Sequence, residues 1–161
     1  MPAPICKTVC GDTPGAAATG DAAQLLRLTP QTIPGGFVPT DIDFTEVGFQ
    51  FGSAVPSTET DDIVVGEGGL YEITYNIVWA PNGDASLVLS SLTKNGVVPS
   101  ATAEFDPAAA FVQISAAEPA TANGKSMAVL AVGDRIGLNA ANDSATARAI
   151  LFASLSLVRL I

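Results

Sequence analysis

From Gly68 to Trp79 the chain alternates. Tyr71, Ile73, Tyr75, Ile77 and Trp79 recur at every second position, and Leu70, Glu72, Thr74, Asn76 and Val78 fall between them. A period of two puts the first set on one face of a strand. Three aromatics in five such positions fit a pleated sheet better than a helix. The stretch therefore predicts a long central strand whose core residues are Tyr71, Ile73, Tyr75, Ile77 and Trp79. At roughly 1.5–3 kcal/mol per large side chain, burying this stripe contributes on the order of 10 kcal/mol gross. Conformational entropy offsets much of it.

The same reading runs through most of the chain. Phe44, Val47, Phe49 and Phe51 lead into Gly52, and 62–65 is a short strand ending at Gly66-Glu67-Gly68-Gly69. Pro81-Asn82-Gly83-Asp84 and Lys94-Asn95-Gly96 are turns around a strand at 86–93, the Asn-Gly step favouring type I′ geometry. Weaker strands are expected at 97–105 and 111–115, a small polar loop at 116–125, and further strands at 126–132, 135–140 and 145–161. In the last stretch apolar residues occupy both parities: Leu151, Leu155 and Leu157 on one, Ile150, Phe152, Val158 and Leu160 on the other. A strand apolar on both faces is buried on both, which predicts that one of its faces meets a partner chain.

Residues 1–36 read differently. Pro2, Pro4, Pro14, Pro30 and Pro34, with Gly15, Gly20, Gly35 and Gly36, break any long element. Only 21–28 (Asp21 to Leu28) has a pattern, which fits either one or two helical turns with Asp21 near the N-cap or a short strand. The expected organisation is an N-terminal arm, 1–36, followed by a β-sandwich domain, 37–161. About eight to ten strands with turns every 8–12 residues is the sandwich or jelly-roll pattern.

Composition changes the picture in one respect. Charged residues make up 14% and hydrophobic residues 48%, against a usual ~25% charged. A surface covered by small neutral side chains favours association. The net charge of −9 argues against nucleic acid and anionic membrane as partners. No apolar stretch reaches the ~20 residues a membrane span needs. The start, Met-Pro-Ala-Pro, lacks a signal-peptide pattern. The chain is therefore expected to stay in the cell that makes it or to reach a surface by another route, such as lysis.

Several segments together resemble the complement/tumour-necrosis-factor jelly-roll superfamily. They are Gly69-x-Tyr71-x-Ile73, Lys94-Asn95-Gly96, and Val132-Gly133-Asp134-Arg135-Ile136-x-Leu138. The stretch 43–54, Asp-Phe-Thr-Glu-Val-Gly-Phe-Gln-Phe-Gly-Ser-Ala, and 62–74 after it are similar to the C-terminal domain of BclA, the Bacillus collagen-like exosporium glycoprotein. The resemblance covers about residues 40–161. Because no collagen-like stalk is present, the layout of short arm plus jelly roll is closer to the ExsF (BxpB) type of basal-layer exosporium protein. This likeness implies a jelly roll of about ten antiparallel strands that forms homotrimers, with first and last strands near the trimer axis. It also implies a spore-surface location, in exosporium or appendage, among other spore-surface proteins. The corresponding trimer-interface candidates are Phe49, Phe51, Leu151, Leu155, Leu157, Val158 and Leu160.

Catalytic chemistry has little to work with. Histidine is absent, which removes the commonest general base and metal ligand and every Ser-His triad. No enzyme activity, cofactor or metal is expected. Asp41 and Asp43 in one loop, and Glu59, Asp61 and Asp62 in another, lack calcium-loop spacing and read as solvated charge. Tyr71, Tyr75 and Trp79 read as core rather than a carbohydrate platform, and Lys94, Arg135 and Arg148 as surface charges. Cys6 and Cys10 lie in the arm. Intermolecular disulfides between assembled subunits are the leading reading. A Cys6–Cys10 bridge, free thiols and zinc held by thiols pooled from a trimer are the others. Ten extended residues reach up to ~33 Å, enough to meet a neighbouring subunit. The function expected from these features is a structural, self-assembling spore-surface protein. The alternatives are a trimeric head that binds a receptor or glycan, and a phage decoration or fibre protein.

Overall fold

The computed structural model describes residues 20–98 and 105–161. Twelve strands make two antiparallel sheets, and no helix occurs among the described residues. In chain order they are β1 (Ala22–Arg27), β2 (Gln31–Ile33), β3 (Thr40–Asp41), β4 (Glu46–Phe51), β5 (Val55–Ser57), β6 (Asp62–Val64), β7 (Gly69–Trp79), β8 (Ser86–Lys94), β9 (Ala110–Ile114), β10 (Ala120–Leu130), β11 (Arg135–Asn142) and β12 (Arg148–Arg159). The first sheet runs β10-β7-β12-β1-β4, with β2 beside β12; the second runs β5-β6-β11-β8-β9, with β3 beside β11. The core lies between them, and Tyr71, Ile73, Tyr75, Ile77 and Trp79 all point into it, each essentially fully buried. Their inward direction takes Tyr71, Tyr75 and Trp79 out of any sugar-binding surface.

The segment 21–28 is a strand. It is inserted between the last strand, β12, and β4, and Ala23 and Leu25 pack in the core. Two strands within the predicted arm, β1 and β2, thus pair in this chain's own first sheet. The alternation of buried and half-buried residues in β1 decides strand over helix: only a period of two buries Ala23 and Leu25 together.

Three local expectations need correction. Six of the ten residues in the predicted loop 116–125 are strand, since β10 begins at Ala120. Polar Thr121, Asn123 and Lys125 face outward there, while Ala122 and Gly124 face the core. Gly124 is required at its position because the Tyr75 ring occupies the space of a Cβ. Val97 makes only an isolated bridge to Lys94, and Phe105 is buried without joining a strand; residues between 99 and 104 lie outside the described ones. At Asn95 and Gly96, φ values of 55° and 77° give the left-handed pair that the Asn-Gly turn predicts.

The third correction concerns β12. Its register against β7 slips between Ile150 and Phe152, which pair with Trp79 and Val78. Leu151 is the extra residue of a β-bulge, and the bulge inverts parity. Ile150 points inward before it; Ala153, Leu155 and Leu157 point inward after it. Much of the apparent two-sidedness of this strand is therefore one inward face interrupted by a bulge.

Candidate functional site

The outer face of the first sheet is a regular surface, and the pairing registers place its side chains in rows. One row reads Phe51, Ala22, Val158, Glu72, Met127 across β4, β1, β12, β7 and β10. The next reads Phe49, Gln24, Ser156, Thr74, Lys125, and the third Glu46, Leu26, Ser154, Asn76, Asn123. The face therefore has an apolar corner on β4, β1 and β12, a middle of short neutral side chains, and a charged margin. There Lys125 Nζ lies 2.7 Å from Glu72 Oε2.

A second bulge builds the apolar corner. The register of β4 against β1 shifts so that Gln24 faces Phe49 and Leu25 faces Val47, leaving Gly48 unpaired. Gln24 lies across Gly48, where a Cβ would collide with its side chain, and Gln24 Nε2 donates to Ser156 Oγ at 3.1 Å. The Phe49 and Phe51 rings sit 6.2 Å apart on this face, and Phe51 is 66% exposed.

The interface candidates divide cleanly. Phe49, Phe51 and Val158 belong to the outer face, Leu151 is exposed at the bulge, and Leu160 is exposed beyond the end of β12. Leu155 and Leu157 do not belong with them: both are 0% exposed inside this chain's own core. Their side chains follow the parity that the Leu151 bulge sets, so no partner chain can reach them. Cys6 and Cys10 lie outside the described residues. Among the described residues no three acidic or cysteine side chains stand close enough to hold a metal ion.

Four charged side chains among the described residues are buried, Asp62 among them despite its reading as solvated charge, and two are almost wholly enclosed. Arg148, read from sequence as a surface charge, is 1% exposed. Its guanidinium donates to Ala80 O at 2.8 Å, to Asn82 Oδ1 at 2.6 Å and to the Asp84 carbonyl. Burial lowers its pKa, and nearby Asp84 and Asp143 oppose that. Asp21 is 2% exposed at the other end of the β7–β12 pair. It accepts from Ser53 N–H (2.6 Å), Ser53 Oγ (2.8 Å) and Glu67 N–H (3.1 Å). The Tyr71 hydroxyl lies 3.2 Å from the same carboxylate and 2.5 Å from Glu67 O. Burial alone would raise the Asp21 carboxyl, but these donors more than reverse that and hold it below its ordinary value. The Tyr71 phenol is pushed up to about 12, by burial first and then by the Asp21 charge.

No family model and no curated protein sequence matches the chain. Solved structures do. Murine APRIL at pH 5.0 superposes with a TM-score of 0.61 at 13% identity, over 88% of this chain and 99% of that one. The globular domain of zebrafish complement 1qA protein gives 0.55 at 10% identity, over 88% and 98%. Eiger TNF from S. frugiperda gives 0.53 at 13%, over 88% and 92%. At such identities the likeness concerns architecture, and the fold of this chain is the jelly roll of the tumour-necrosis-factor and complement C1q type.

Proposed function

We propose that this is a non-enzymatic structural protein that assembles into homotrimers through the outer face of its first sheet. The observation that carries the reading is the face itself: a corner of exposed Phe51 and Val158 with half-buried Phe49, continuous with a field of short neutral side chains. Short side chains let a second copy approach closely, and the aromatic corner supplies apolar area to bury. Strands of this length and number span on the order of 700 Å². A specific interface takes about 600–1,000 Å² from each partner, a range that includes this face. In this reading the residues ahead of β1 link trimers to one another, with Cys6 and Cys10 making the link covalent at a bacterial spore surface. The likeness of 43–54 and 62–74 to exosporium proteins supports that location, and the low charge content supports assembly.

Size-exclusion chromatography with light scattering tests both levels. The full chain is expected to form species larger than trimers that fall to trimers on reduction or on removal of residues 1–15. Ser156→Arg, in the middle of the face, is expected to give monomers with an unchanged circular-dichroism spectrum. A Ser156→Arg protein that stays trimeric refutes the face. Trimers under every condition refute the linking role of the arm.

A further inference from the structure

The two acidic loops, some twenty residues apart in sequence, converge on the outer face of the second sheet. Asp41 in β3 and Asp61 and Asp62 at the start of β6 line one pocket with Thr93, Arg135 and Gly137. Its floor is Gly137, which pairs with Asp62 on one side and Thr93 on the other. A Cβ at 137 would stand 2.7 Å from Thr93 Oγ1 and 3.5 Å from the Asp61 carbonyl oxygen. The recess therefore sits where a side chain is missing, and the atoms nearest its floor are the Thr93 hydroxyl and Asp61 carbonyl oxygens, with Arg135 also in its wall.

The hydrogen bonds around it leave specific acceptors over. Asp62 is fully engaged, accepting from Thr60 Oγ1 at 2.9 Å and from Arg135 Nε. Asp41 accepts from Asn139 Nδ2 through Oδ1 only, and Asp61 from Phe44 N–H through Oδ1 only. Thr93 is 5% exposed, yet its hydroxyl has no hydrogen-bond partner among the described residues. The residue is otherwise enclosed, and its hydroxyl reaches solvent through the pocket that Thr93 lines. Charge points the same way. Asp41, Asp43, Asp61 and Asp62 face Arg27 and Arg135, an excess of acid over base. Burial raises the Asp61 carboxyl, the Phe44 N–H opposes this, and Asp43 and Asp62 add to the rise.

A metal ion would need a closer set of ligands than the described residues offer. An ammonium group needs only acceptors: it carries three donors and no lone pair. We propose that the pocket binds a primary ammonium group, held by the free oxygens of Asp41 and Asp61 and by the Thr93 hydroxyl. A free alkylamine and a lysine side chain share this chemistry. The pocket lies on the sheet opposite the assembly face, so its fate is independent of the trimer reading.

The test is a ¹⁵N NMR titration of the full chain at constant ionic strength. n-Butylammonium chloride is expected to shift the amides of Asp61, Thr93 and Gly137 and to saturate in the millimolar range. Tetramethylammonium chloride, with no N–H donor, is expected to leave them in place. Thr93→Val and Asp41→Asn are each expected to weaken binding at least fivefold with an unchanged melting temperature. Nα-acetyl-lysine methylamide binding over tenfold tighter than butylammonium would assign the source to a protein side chain; equal affinity would assign it to a free amine. Equal shifts with tetramethylammonium, saturation by calcium chloride but not by amine, or wild-type affinity in Thr93→Val would each overturn the proposal.

Discussion

The two ends of the β7–β12 pair are fastened by buried charges of opposite sign, and they are fastened differently. At one end the Asp21 carboxylate gathers N–H and O–H donors from the turns at Ser53 and Glu67 and from Tyr71. At the other the Arg148 guanidinium gathers oxygen acceptors from the Ala80–Asp84 loop, and its Nε has no partner. Neither depends on a single close counter-ion. Each charge is held by oriented dipoles of turns that would otherwise have no reason to lie still. The anion is well supplied with partners. The cation is slightly undersupplied, yet it cannot escape its cost by losing a proton near neutral pH.

That contrast can be broken from either side. The largest effect is expected at Arg148. Arg148→Leu strands the Ala80 and Asp84 carbonyls, leaves Asn82 Oδ1 with the Asp84 N–H alone and leaves a poorly filled space, costing about 3–4 kcal/mol. Urea unfolding measures it, and a loss below about 1 kcal/mol would show that the loop re-forms without the guanidinium. Asp21→Asn should cost less, about 2 kcal/mol, because the amide still offers one oxygen but turns a donor toward donors. The melting temperature of the variant checks this.

The smallest and sharpest difference is in pH. The folded Asp21 carboxyl titrates below its unfolded value. Its contribution is therefore complete above the unfolded carboxylate pKa of about 3.9 and is lost as pH falls through the lower folded value. The gap in melting temperature between wild type and Asp21→Asn should narrow in that acid window. The gap between wild type and Arg148→Leu should not. At the alkaline limit Tyr71 acts with the opposite sign. Its folded pKa of about 12 lies above the ordinary 10, so stability is lost as pH rises between them, and Tyr71→Phe abolishes that loss.

These two anchors also mark where sequence reading stops. The central strand was legible because every second residue from Tyr71 to Trp79 is large and apolar, and that pattern survives without context. The jelly roll followed from strand spacing and from turns such as Asn95-Gly96. Arg148 was not legible, because its burial depends on carbonyls from a loop more than sixty residues earlier in the chain. Asp21 suggested a helix cap, since nothing local reveals that Ser53 and Glu67 arrive to meet it. On β12 a single bulged residue, Leu151, exchanged the faces of everything beyond it, so an even-odd count made both faces look apolar, and the interface candidates Leu155 and Leu157 belong to the core. The assembly face was half legible. Phe49 and Phe51 alternate plainly, but Gly48 gave no sign that it is the unpaired residue beneath Gln24. The pocket needed Asp41 and Asp61 to meet, which only the paired strands bring about.

The placement of β1 has a mechanical meaning. Whatever is attached ahead of Gly20 joins the domain through a strand paired on both sides, with β12 along one edge and β4 along the other. Hydrogen bonds of an antiparallel ladder run across the strand. A tug along β1 therefore loads both rows in shear at once instead of opening them one after another. The Asp21 carboxylate, clasping the turns at Ser53 and Glu67, sits where such a load would enter. A subunit built this way can hang by its first strand.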